Sequence, residues 1–227
     1  MAQRVCFVAT PTAELNFVEI KVEFQYYTGF SISQKQRSIH SMHDSIKIID
    51  DQLKVLEVST KSEIPIGRSL SAFNLKFFDD ISRTEYPIEN VFQSSKVFEN
   101  GGPYRDLLYV SPKDAKRDER LLTSGKLKHF ELNGTIWGLE PKTLFYDWLY
   151  INALYRDKKL SSGILEYNAF TDIEFNPQRS VNCQARSAAI FVSLSKKNQL
   201  EKSLVDYQFL KATYRMSEKT ERPAYFQ

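Results

Sequence analysis

At 227 residues, with 42% hydrophobic and 13% aromatic side chains, the chain is long enough for one sizeable core and too apolar to remain a disordered tail. Its 31 basic and 28 acidic residues leave a net charge of +3, too balanced to signal nucleic-acid binding by bulk charge but open to a local basic patch. No apolar run approaches a membrane span and no signal-peptide pattern opens the chain, so a soluble, cytoplasmic protein is expected. Cys6 and Cys183 form no C-x-x-C pair and are expected as reduced thiols.

The N-terminal region reads as sheet. Residues 18–26 alternate strictly, with Val18, Ile20, Val22, Phe24 and Tyr26 on one face and Glu19, Lys21, Glu23 and Gln25 on the other. Residues 5–9 and 54–59 read as two further strands. Residues 33–49 read as a helix, with Ser33 and Gln36 spaced like a capping box and a stripe of Ile39, Met42, Ile46 and Ile49.

From Pro87 the pattern turns mostly helical. Pro87 suits a first helical position and Gly101-Gly102 suits the stop. Ser111-Pro112 opens another helix, closed by Gly125. Pro141 opens a third, through Leu144, Phe145, Trp148 and Leu149. Residues 187–194 and 200–214 read as helices on the same core. No internal repeat or long linker interrupts the chain. The expected architecture is α+β, one domain over 1–227, with a small N-terminal antiparallel sheet and a mostly helical C-terminal part.

Phosphate-binding loops, dinucleotide fingerprints and nucleophile elbows are absent from the sequence. His40 and His43 lie three apart on the first helix, but no third ligand stands nearby, so no metal is expected. The informative stretch is YPIENVFQSSKVFENGGPY at 86–104. On a helix, Glu89, Gln93 and Lys96 fall within an arc of about 60°. The plain reading is a solvated face. If other elements roof that face, burial raises the pKa of Glu89 and lowers that of Lys96. A second stretch, SLSAFNL at 69–75, sets Asn74 between Phe73 and Leu75. It reads either as a turn capped by Asn74 or as the edge of a pocket. A third, YNAFTDIEFNPQRSVNCQAR at 167–186, is dense in hydrogen-bonding groups; Asp172 and Glu174 share a face there if it is a strand.

These stretches carry a resemblance. Ala72-Phe73-Asn74, then Glu89, Gln93 and Lys96 in a Glu-x-x-x-Gln-x-x-Lys order, then a late segment bearing Asp172, resemble the NADAR (YbiA-like) family. The runs GFSISQKQRSIHSMH, SSKVFENGGPYRDLL, SGKLKHFELNGTIW, FYDWLYINAL and FTDIEFNPQRSVNCQARS resemble one branch, the NADAR antitoxins associated with DarT toxins, over nearly the whole chain. The Trp-Gly pair that usually follows the family's late Asp is absent. Asp172 is followed by Ile-Glu-Phe-Asn-Pro, which leaves the second carboxylate as Asp172 or Glu174, with Asp172 preferred.

The resemblance implies a hydrolase that removes ADP-ribose from guanine bases in DNA, reversing a DarT-type toxin. Its implied partners are ADP-ribosylated DNA, ADP-ribose and a cognate toxin; no cofactor and no membrane are implied. Glu89 is then the acid that assists the leaving guanine nitrogen. Lys96, about 10 Å along the helix axis from Glu89, leans back to add to the anomeric carbon or its ring-opened aldehyde as a Schiff base. The competing mechanism is direct attack by water, with Glu89 and Asp172 as a carboxylate pair. Gln93 positions these groups, and Phe73 and Asn74 edge the pocket. Lys35, Arg105 or Arg179 meets the pyrophosphate, and Tyr104 or Trp148 stacks on a base. Two other functions compete: a non-catalytic antitoxin that binds toxin or ADP-ribose, and an N-glycosidase acting on a riboflavin-pathway intermediate.

Overall fold

The computed structural model describes residues 1–11, 15–177 and 180–218, with side chains of the last helix to Tyr214. Arg179 lies outside the described residues.

Strands β1 (Ala2–Ala9) and β2 (Phe17–Phe24) form an antiparallel pair in register from Ala2↔Phe24 to Ala9↔Phe17. The alternation in β2 holds where it meets the core: Val22 and Phe24 are buried beside Cys6, while Val18 at the strand's start is exposed. Helix α1 (Ile32–Ile49) covers them with Ile39, Met42 and Ile46; Ile49, at the helix end, is exposed. The capping box falls two residues earlier than expected. Ser31, still extended, accepts from the Gln34 N–H at 3.2 Å, and the Gln34 side chain accepts from the Ser31 N–H at 3.3 Å.

Two more strands complete this sheet. β3 (Val55–Glu57) is followed by α2 (Pro65–Ser69) and a hairpin of β4 (Lys76–Asp79) and β5 (Thr84–Pro87). Helix α3 (Ile88–Ser94) follows at once. Pro87 is its N-cap rather than its first residue, and the helix stops at Ser95, well before Gly101-Gly102. The Ser94 and Ser95 hydroxyls both donate to the Val91 carbonyl, satisfying the helix end. Lys96 therefore leaves the helix and opens β6 (Lys96–Phe98), correcting the expectation of one helical face for Glu89, Gln93 and Lys96. Sheet pairing is the cause: β6 lies antiparallel to β7 (Leu127–Leu132), with Lys96 opposite Phe130, and β8 (Thr135–Trp137) adds a third strand.

Ser111 caps α4 (Pro112–Arg117), which ends early; α5 (Arg120–Thr123) fills the space before Gly125. Helix α6 (Leu144–Arg156) starts beyond Pro141 and buries Leu144, Phe145 and Leu149. It leads into α7 (Lys158–Gly163). Then β9 (Ala169–Thr171) inserts into the first sheet, giving the order β2-β1-β9-β3, antiparallel to β1 and parallel to β3. The chain ends in α8 (Gln184–Lys196), α9 (Leu200–Val205) and α10 (Tyr207–Glu218); the last two form where one helix was expected, divided at Asp206. Both helices and strands are present throughout, an α+β fold with more sheet after Pro87 than the sequence pattern predicts.

The main core packs α3, α6 and α8 against the sheets. Phe92 packs against Phe130, tilted, and Tyr146, edge-on, at centroid distances of 5.3 and 5.2 Å. Beneath it, fully buried Asp147 on α6 accepts from Arg186 at 2.9 Å and from the Ser187 and Tyr214 hydroxyls, tying α6, α8 and α10 together. A buried charge requires such pairing, because desolvation without it costs more than the fold can absorb.

Candidate active site

A cleft of about 780 Å³ opens between α3, α4, the start of β6, the turn after α2, the loop after β9 and the start of α8. Glu89, Gln93, Lys96, Phe73, Asp172 and Glu174 all line it. The local chain dictates this convergence. The Glu89 N–H donates to the Ala72 carbonyl at 3.0 Å and the Ile88 N–H to Leu75 at 3.0 Å, fastening the start of α3 to the 71–75 turn. Gln184 fastens the other wall: its Oε1 accepts from the Ala72 N–H at 2.7 Å and its Nε2 donates to the Val58 carbonyl at 2.6 Å.

Glu89 is 5% exposed. It accepts from Gln93 Nε2 at 2.7 Å, and Lys116 Nζ approaches its other oxygen at 3.8 Å. Lys116, on α4, also lies 5.5 Å from the Phe73 ring centroid. The partly buried Lys96 amine rests over the Phe92 ring at 4.9 Å. Burial pushes its pKa down to about 8; Glu89 resists this and Lys116 adds to it.

Asp172, 9% exposed, stands directly after β9 and accepts the Glu174 N–H at 3.0 Å. Burial, reinforced by the neighbouring carboxyl of Glu57, pushes it up to about 8. Glu174 points outward and pairs with Lys35 at 3.3 Å; Lys35 also donates to the Tyr26 hydroxyl. The two carboxyls thus sit in unlike settings.

The remaining expected residues lie elsewhere. Asn74 is exposed and turns its Nδ2 to the Arg68 carbonyl at 2.8 Å, facing a separate groove beside Lys76 and Glu85. Neighbours in a tight turn point apart, which sends Phe73 into the cleft and Asn74 away from it. Tyr104 meets the Ser124 hydroxyl and carries the Arg120 guanidinium over its ring at 4.4 Å, off the cleft. Trp148 packs in the core, 4.8 Å from Trp137 and 6.0 Å from Phe77. Arg105 donates to the Glu131 carbonyl at 2.9 Å. His40 pairs with Glu63 and His43 with Thr171, so the two rings serve different partners. Among the described residues no group of three or more His, Cys, Asp or Glu is arranged to hold a metal. Nor, among them, is any helix long and apolar enough to cross a membrane.

Sequence reasoning missed Lys116, Tyr146, Glu57 and the bridging role of Gln184. It also missed the rim: Lys61, Lys113, Lys116, Arg117 and Lys142 surround the opening. Three cleft-lining atoms, Gln93 Oε1, Ser71 Oγ and Asn182 Oδ1, are buried without a hydrogen-bond partner among the described residues. Buried polar atoms are normally paired, and these would accept from a ligand that brings donors.

No curated protein matches the chain. A family model described as DarT1-associated NADAR antitoxin matches residues 2–223. That span takes in the Phe73 turn, the Glu89 helix and the strand before Asp172, the parts that the fold folds into one cleft. By that match the chain belongs to the family of DarT1-associated NADAR antitoxins.

Proposed function

We propose that this protein hydrolyses the N-glycosidic bond joining ADP-ribose to a guanine base in DNA, and so reverses the modification made by a DarT-type toxin. The observation that carries the reading is the pairing, in one cleft, of a lysine amine pushed down to about 8 with a carboxyl pushed up to about 8. Groups tuned in this way suit a nucleophile and an acid at neutral pH. Glu89, which faces two donors, suits an accepting carboxylate. Asp172 thus takes the acid role that sequence reasoning gave to Glu89.

In this scheme Asp172 delivers its proton to the exocyclic guanine nitrogen as the bond to the ribose carbon breaks. The neutral Lys96 amine forms a bond to that carbon and loses a proton to solvent or Glu89. The ribose ring then opens, its ring oxygen taking a proton, to give the Lys96 Schiff base; water adds to that carbon and yields a proton to the lysine nitrogen, the carbon–lysine bond breaks, and ADP-ribose is released. The unpartnered acceptors at Gln93 and Ser71 fit the N–H groups of guanine. The basic rim fits the phosphate backbone of the strand that carries it. A modified base must be flipped out, or presented in a single strand, to enter.

The test is a time course with an oligonucleotide bearing ADP-ribosylated guanine. Wild type restores the base, whereas Lys96→Ala, Glu89→Gln and Asp172→Asn do not. No restoration by wild type overturns the reading, and variants that still protect cells from toxin point instead to neutralisation by binding. Borohydride added during turnover traps an adduct on Lys96; its absence moves the attack to water.

A further inference from the structure

Glu57 is 2% exposed and is not among the residues lining the cleft, yet it closes around Asp172 from behind. Parallel pairing sets Glu57 opposite Thr171, the residue before Asp172. Its Oε2 accepts the Thr171 hydroxyl at 2.7 Å, and its Oε1 accepts the N–H of Ile173, the residue after Asp172, at 2.9 Å. The Ser59 hydroxyl donates as well. One carboxylate therefore grips the peptide on both sides of its neighbour.

The donors run one way. Thr171 spends its only proton on Glu57, so His43 Nε2, 2.9 Å from Thr171 Oγ1, must be the donor of that contact. Burial holds the His43 pKa down to about 4, so the ring is neutral and its one proton sits on Nε2. The line from His43 through Thr171 ends on Glu57, which is thereby set as an acceptor on both oxygens. Asp172 receives one backbone N–H. Burial raises the pKa of both carboxyls, and the donors from Ile173, Ser59 and Thr171 pull Glu57 back down, so of two coupled carboxyls Glu57, with more donors, gives up its proton first.

We propose that Glu57 is a positioning residue that fixes the backbone around Asp172 and, by holding the negative charge of the pair, keeps the proton on the Asp172 carboxyl that faces the cleft. The other groups facing Asp172 are Glu174, Lys116 from α4, Tyr146 and Tyr150 from α6, and Cys183 at the start of α8. Burial keeps the two tyrosines and the thiol neutral. Glu174 is exposed and compensated by Lys35. That leaves Glu57 as the like charge that governs Asp172. The inference rests on the reading of Asp172 as the acid, but its test does not need turnover.

The experiment follows Asp172 by carbon-13 carboxyl NMR in the intact, ligand-free protein, assigned by its loss in Asp172→Asn. Wild type is expected to titrate near 8. Glu57→Gln removes the like charge, and the Asp172 midpoint falls by a unit or more, a tenfold or greater rise in its acidity. Thr171→Val removes a donor from Glu57 at nearly constant volume, shifts the proton towards Glu57 and lowers the Asp172 midpoint too; it serves if Glu57→Gln does not fold. Glu174→Gln moves the midpoint less than either. An Asp172 midpoint that stays put in a folded Glu57→Gln or Thr171→Val protein overturns the proposal, as does ordinary carboxylate titration in wild type. In activity, the alkaline limb of the pH profile moves to lower pH in both variants. A wild type that titrates as expected but never restores guanine sinks the catalytic reading and leaves the Glu57 assignment standing.

Discussion

Gly102 and Lys96 meet backbone to backbone: a Cβ built on Gly102, whose φ is +85°, would lie 2.2 Å from the Lys96 carbonyl oxygen. No side chain fits there, so Gly102 fixes the segment from which the Lys96 amine enters the cleft. Gly102→Ala is expected to lose stability by more than the roughly 1–2 kcal/mol of left-handed strain, and to lose most of its base-restoring activity. Gly134→Ala isolates the strain: its φ is +77° and nothing lies within 4 Å. That variant should lose about 1–2 kcal/mol in urea melts and keep its activity.

Activity should follow a bell-shaped pH profile centred near 8. The neutral Lys96 amine appears as pH rises through about 8, and the protonated Asp172 carboxyl disappears over the same range. Lys116 helps keep Lys96 low, so Lys116→Met should move the acid limb to higher pH. Initial rates between pH 6 and 10 check both statements.

Stability should fall as pH rises from about 4 to 8 through the Asp172 contribution. Its folded pKa, about 8, exceeds the ordinary 3.8, so the folded state holds a proton that the unfolded state releases. The contribution is complete below the ordinary value and is lost as pH rises through the folded one. Chemical denaturation of Asp172→Asn across that window should show a flatter slope than wild type.

The Asp147 network should behave as a structural unit. Arg186→Met leaves a fully buried carboxylate without its cation and should cost about 3–5 kcal/mol in denaturant melts. Tyr214→Phe removes one hydroxyl donor and should cost about 1–3 kcal/mol.

DNA binding should weaken with salt. Lys113, Arg117 and Lys142 are exposed on the rim. Each alanine substitution that removes a phosphate contact should reduce the slope of log affinity against log salt by about 0.7 on single strands. Fluorescence anisotropy with a labelled oligonucleotide reads this directly, and an unchanged slope in the triple variant would remove the rim from the binding path.

What the sequence conveys depends on how local the cause is. The alternation of Val22 and Phe24 and the stripe of Ile39, Met42 and Ile46 are set by neighbours, and both appear in the fold. Local spacing extends the helix through Lys96, because its strand partner Phe130 lies far along the chain and leaves no trace in that spacing. β9 is too short for a period to emerge from its three residues. At the site, the motif residues Glu89, Gln93, Lys96 and Asp172 were legible, and the structure brings them to one cleft. Lys116, Gln184 and Glu57 were not, because a lysine on an exposed helix face, an amide opening a helix and a polar residue in a strand look ordinary until their partners are known.

The place of β9 between β1 and β3 has a consequence for the order of synthesis. When the ribosome has made the first sheet's early strands, β1 has a free edge and β3 has no partner; both wait for residues 169–171. Such distant pairing is slow to form and leaves open edges in the meantime. Asp172 follows the last strand to arrive, so that carboxyl and the sheet that holds it are completed together. A nascent or truncated chain that stops short of β9 can fold its first hairpin, yet has no second wall for the cleft.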